Sequence, residues 1–149
     1  MRVSAKADYA VRAAIELAAA PNGKAVPAER IATAQGIPLN FLEHILSELR
    51  IAGVVRSQRG SEGGFRLARE PWRITIADII RAVEGPLATV RGGRPEDTEY
   101  PGVASQLPRV WIAVRKNLRS VVEHVTWPTS QTPASPTRST CSPTSRRRG

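Results

Sequence analysis

Cysteine is nearly absent. The 149 residues hold a single one, Cys141. This excludes an internal disulfide and any multi-cysteine zinc or iron–sulfur site built within one chain. Lysine is scarce too. Lys6, Lys24 and Lys116 are the only three, so arginine supplies most of the excess of 22 basic over 13 acidic side chains. Aromatic residues make up 5%, so the core must be built from Ala, Val, Ile and Leu. Single-strand RNA or DNA binding is disfavoured, because the stacking platforms it uses are missing. No apolar run approaches the roughly 18 residues of a membrane-crossing helix. The opening Met-Arg-Val-Ser-Ala-Lys lacks the apolar centre of a secretory signal. A cytoplasmic protein with no membrane partner is expected. Only His44 and His124 are histidines, and no H-E-x-x-H, P-loop or nucleophile-elbow pattern occurs. The glycines of Gly60–Gly64 link strand to strand, whereas a dinucleotide loop leads from a strand into a helix. Glu96, Asp97 and Glu99 read as solvated loop acids. An enzyme is therefore not expected.

What is present is a strong positive charge, +9 overall with a pI near 11.1. Such a surface attracts polyanions, and double-stranded DNA leads the partners. After Trp127 the composition collapses to Ser, Thr, Pro and Arg, so residues 128–149 read as a disordered basic tail. Without that tail, basic residues still outnumber acidic ones.

Five helical segments and a hairpin are expected before the tail. Ser4 suits the N-cap of a helix over Ala5–Ala20, with Val11, Ala14, Ile15 and Ala18 as its stripe and Leu17 widening it. Pro27 suits the first position of a short helix through Gln35, with Ile31 and Ala32 inward and a turn at Gly36. A helix over Pro38–Ala52 carries the stripe Leu42, Ile45, Leu46 and Leu49. Val54–Ser57 and Phe65–Leu67 read as two strands joined by a glycine-rich connector. Thr75 caps a helix to Glu84, with Asp78 in a capping-box position and Ile76, Ile79, Ile80 and Val83 as the buried face. A loop and a last helix over Ser105–Thr126 follow. Its Leu107, Trp111, Val114, Leu118, Val121 and Val125 recur at steps of 4, 3, 4, 3, 4, a heptad seam. Packing back on its own domain is one use for such a seam. A second copy of the chain is the reading preferred here, because the remaining domain is small and has stripes of its own.

Two helices around a glycine turn, then a hairpin, make a winged helix-turn-helix. The fold expected is mainly α with a small β-hairpin, closed by a long C-terminal dimerisation helix. Residues 1–86 form the DNA-binding domain, 87–104 a loop, 105–127 the dimerisation helix and 128–149 the tail. The outward face of the second helix carries Asn40, Glu43, His44 and Ser47, which suit base-edge and phosphate contacts. A merely solvated helix face would look the same. The basic wing shifts the balance. Arg59, beside Gly60, suits a narrow minor groove, Arg56 and Arg66 suit phosphates, and Lys6 and Tyr9 lie early enough in the first helix to reach the backbone.

Three stretches carry a family resemblance: MRVSAKADYAVRAAIELA, VPAERIATAQGIPLNFLEHILSELRIAGVV and RGSEGGFRLAREPWRITIADIIRAVEG. In this order they resemble the bacterial winged-helix repressors of the IscR, NsrR and CymR group, over Met1 to Thr126. The resemblance implies a homodimeric transcriptional repressor reading a roughly palindromic operator. It adds Phe41 to the recognition set and Arg50 as a phosphate contact. Pro38 stands where relatives often have Ser. Several members hold an iron–sulfur cluster on three cysteines before the long helix. Here that loop, Leu87–Gly102, has neither cysteine nor histidine, so a cluster is not expected. A signal would then come from a small molecule or a partner protein, or repression would be constitutive. The competing reading is a winged-helix interaction module acting through another protein without reading DNA.

Overall fold

The computed structural model describes residues 3–127. Five helices and one hairpin follow in order: α1 (Ala5–Ala19), α2 (Ala28–Gln35), α3 (Leu39–Ile51), β1 (Val55–Gln58), β2 (Gly64–Leu67), α4 (Ile76–Glu84) and α5 (Leu107–Val122). This is the winged helix-turn-helix order. Among the described residues, no helix is long and apolar enough to cross a membrane. The expected tail at 128–149, with Cys141, falls outside the described residues.

Helix α1 sits centrally, against α3, α4, α2 and β2. The Ser4 hydroxyl accepts from the Ala7 N–H at 3.0 Å and donates to Glu84, tying the start of α1 to the end of α4. Its buried face is Ala7, Ala10, Ala13, Ala14 and Leu17. This corrects the expected stripe, for Ile15 is 44% exposed and Val11 and Ala18 are only half-buried. An alanine-rich helix is apolar on several faces. The face that goes inward is the one whose small side chains let two neighbouring helices approach.

Helix α2 begins after Pro27, which is its N-cap and not its first residue. The chain turns at Gly36 (φ 62°), and the Ile37 N–H reaches the Ala32 carbonyl at 3.0 Å. In α3 the expected stripe holds: Leu42, Ile45, Leu46 and Leu49 are fully buried. The hairpin is antiparallel, with Val55 opposite Leu67, Arg56 opposite Arg66 and Ser57 opposite Phe65. A third segment joins it. Val26 and Phe65 exchange two backbone hydrogen bonds of 2.8 Å. A Cβ on Gly64 would lie 2.4 Å from the Val26 carbonyl, so only glycine lets the wing close on residues 26–27.

In α4 both capping-box bonds form at 3.1 Å, Asp78 N–H to Thr75 Oγ1 and Thr75 N–H to Asp78 Oδ2. Ala77, Ile79 and Val83 are buried. Ile76 and Ile80, expected inside, are half-buried. The expected loop after α4 is not featureless. Val90 and Gly93 bridge, and 3₁₀ turns form at Pro95–Asp97 and Gly102–Gln106. That second turn delays α5 to Leu107, and α5 stops at Val122, short of the expected Ser105–Thr126. The chain then returns to the main body. Thr126 bridges Thr75, the Ile76 N–H reaches the Val125 carbonyl at 3.2 Å, and Trp127 enters the core at 8% exposure.

Candidate nucleic-acid interface

Burial of one face of α3 presents the other. Asn40, Glu43 and His44 are exposed, Ser47 is half-buried and Arg50 is exposed in the last turn. Phe41 is 41% exposed and meets Tyr9 edge-to-face, with ring centroids 5.8 Å apart. The Arg12 guanidinium lies 5.4 Å from the Tyr9 ring centre. Arg12 also bonds Gln35 Oε1 at 3.1 Å and the Gln35 carbonyl at the end of α2. Tyr9 thus helps to set the angle of α3 against α1 and α2. Arg12 was missed in the sequence, because nothing local marks a residue whose partner lies on another helix. Lys6, expected to face the DNA backbone, pairs with Glu48 of α3 at 2.7 Å.

The wing carries Arg56 and Arg66 directly opposite one another, both exposed. Like charges at such a pair repel, and a phosphate between them would relieve the repulsion. Arg59 and Gly60 are exposed at the tip. Arg50, Arg56 and Arg69 line one groove between the end of α3 and the hairpin. Arg69, which forms an ion pair with Asp78 at 3.8 Å, was not legible in sequence. Its place in the groove depends on the chain path after β2.

Helix α5 buries no residue completely. Val114 and Val121 are 46% and 61% exposed, and Val125, at 42%, lies beyond the helix. Leu107, Trp111 and Leu118 are half-buried. The seam is therefore split. Trp111 turns to its own loop, where its indole N–H reaches the Tyr100 hydroxyl at 3.2 Å. Val110, absent from the expected seam, is 51% exposed and joins Val114 and Val121. Ion pairs hold the other side of α5. Glu123 accepts from Arg81 of α4 and from Arg119, and these bonds hold its carboxyl below the ordinary range. Arg115 grips Glu96 with both terminal guanidinium nitrogens. That grip, then a backbone bond, lowers the Glu96 carboxyl from 4.5 to about 2, and Glu96 in turn raises Arg115.

Comparison with known proteins gives the same picture. A candidate HTH-type transcriptional regulator of Mycobacterium tuberculosis H37Rv is 50% identical over 126 residues, covering 85% of this chain and 78% of that protein. The structure of CymR, described as the global cysteine regulator of B. subtilis, superposes with a TM-score of 0.71 at 34% identity, covering 85% of this chain and 92% of CymR. T. potens IscR superposes at 0.68 with 34% identity, covering 85% and 82%. The Rrf2 model, described as an iron-dependent transcriptional regulator, matches residues 3–127. With its exposed α3 face and arginine-lined wing, the chain belongs to the Rrf2 family of winged-helix, DNA-binding transcriptional regulators.

Proposed function

We propose that this chain is a cytoplasmic, homodimeric repressor that reads a palindromic operator with one α3 per half-site. The observation that carries the reading is the wing, where exposed Arg56 shares a groove with Arg50 of α3 and pairs in register with exposed Arg66 on the other strand. Repulsion of that kind costs stability in the free protein and becomes useful only beside a polyanion. Asn40, Glu43 and His44 are the base readers in this scheme. Arg50, Arg56, Arg66 and Arg69 hold phosphates, and Arg59 enters the minor groove. The second copy covers Val110, Val114, Leu118 and Val121, which one chain leaves open. No catalytic role is assigned to any residue.

The family description names iron, and the residues present do not fit a cluster. Among the described residues, no three His, Cys, Asp or Glu side chains are grouped to hold a metal. The loop over 87–102 offers guanidinium groups where a cluster needs thiolates. We therefore propose a regulator that binds DNA without a cluster, its effector being a small molecule or a partner protein.

The test is selection of bound sequences from a random duplex pool by purified protein with no metal added. A palindromic winner supports the reading, including DNA binding without a cluster. Recovery of no motif rejects it in favour of a module that acts through a partner protein.

A further inference from the structure

Four arginines from three elements meet in one cavity of about 670 Å³ at the junction of α4 and α5. Arg81 comes from α4, Arg94 from the following loop, and Arg115 and Arg119 from α5. No residue lining it belongs to α2, α3 or the hairpin, so the cavity is separate from the DNA-facing surface. Its volume lies within the roughly 300–1,000 Å³ usual for small-molecule sites.

Carboxylates already pair with three of the four arginines. One carboxylate, Glu123, sits between Arg81 and Arg119, and a second, Glu96, is gripped by Arg115. Four guanidinium groups against these two acids leave an excess of positive charge. Among the described residues, Arg94 forms no ion pair. Its planar fork suits a carboxylate or a phosphate, which it binds through two parallel bonds.

We propose that this cavity is a binding site for a small multivalent anion bearing carboxylate or phosphate groups. The anion bonds Arg94 and competes with Glu123 for Arg81 and Arg119. Glu123 is thus an internal occupant, holding the α4–α5 junction closed until a stronger anion displaces it. Since α5 meets the proposed second copy, the exchange would alter how two α3 helices are spaced. That consequence rests on the repressor reading; anion binding itself does not.

The experiment is calorimetric titration of the full chain, without DNA, using pyrophosphate and citrate as two separate probes. Saturable binding of either probe is expected, weakened about tenfold or more in Arg94→Ala, on the scale of one charge-assisted bond. Glu123→Gln, which removes the internal competitor, should bind more tightly. Arg59→Ala, which alters only the DNA face, should bind as the unaltered chain does. Response to pyrophosphate alone assigns a phosphate ligand and response to citrate alone a carboxylate. Absence of saturable binding with both probes overturns the proposal. So does a loss in Arg59→Ala equal to that in Arg94→Ala, which would place the anion on the DNA face. Neither result touches the duplex-pool selection, so the two readings fail separately.

Discussion

Replacing Trp127 by alanine tests the return of the chain from α5 to the core. Trp127 is 8% exposed and belongs to the main hydrophobic cluster with residues of α1, α3 and α4. A buried tryptophan hides roughly 200 Å², or about 5 kcal/mol at 25 cal/mol per Å². Residual burial in the unfolded chain lowers that by about a quarter. The indole N–H has no hydrogen-bond partner among the described residues, so its removal offsets roughly a further 1 kcal/mol. The expected net loss is about 3 kcal/mol, at the low end of large-to-small core substitutions. In a domain of this size the melting temperature should fall by roughly 10 °C. Trp127→Phe keeps most of the apolar mass and drops the unpartnered donor, so its loss should stay within about 1 kcal/mol. Urea unfolding followed by far-UV circular dichroism measures both. A Trp127→Ala midpoint equal to that of the parent would refute the argument, because it would mean that residues 125–127 do not dock on α4.

Further expectations concern the DNA face, the seam and the ion pairs. Glu43→Ala should relax operator selectivity by roughly 1–3 kcal/mol per half-site; equal loss on operator and random duplex in a competition assay would mean that Glu43 reads no base. Arg66→Ala removes the repulsion with Arg56, so stability should rise by about 0.5 kcal/mol while operator affinity falls, and a fall in both would remove phosphate clamping from the wing. Leu118→Glu should shift the chain toward monomer in sedimentation, and an unaltered mass would count against the α5 seam. The lowered Glu96 carboxyl sets a pH window. The contribution of its bond to Arg115 is complete above the ordinary value of 4.5 and is lost as pH falls toward about 2. The stability difference between the parent and Glu96→Gln, followed by tryptophan fluorescence, should shrink through that window. A difference that stays constant from pH 6 to 2 would reject the linkage.

Much of the fold could be read locally, and the reasons differ by element. The stripe of α3 was legible because four large aliphatic residues recur at one spacing with polar residues between them. The Thr75–Asp78 cap was legible because both partners lie within one turn. The stripe of α1 was misplaced because alanine marks no face. The end of α5 was misplaced for a different reason. Val125 continues the heptad count, but residues 125–127 gain more by pairing with Thr75 and Ile76 and sending Trp127 into the core than by extending a helix into solvent.

The candidate site divides along the same line. Asn40, Glu43 and His44 followed from the periodicity of α3, since whatever lies opposite a buried stripe must face out. Arg12 as a brace for Tyr9, Arg69 in the groove of Arg50 and Arg56, and the arginine cavity at the α4–α5 junction join residues far apart in the chain. Local sequence by itself determined the helices, the turn at Gly36, the wing and the positive charge, because these depend on neighbours within a few residues. Only the tertiary structure decided that Arg56 faces Arg66, that Lys6 is held by Glu48 and that Trp127 closes the core. Register, ion pairing and burial depend on which distant surfaces meet, and no spacing along one chain records that.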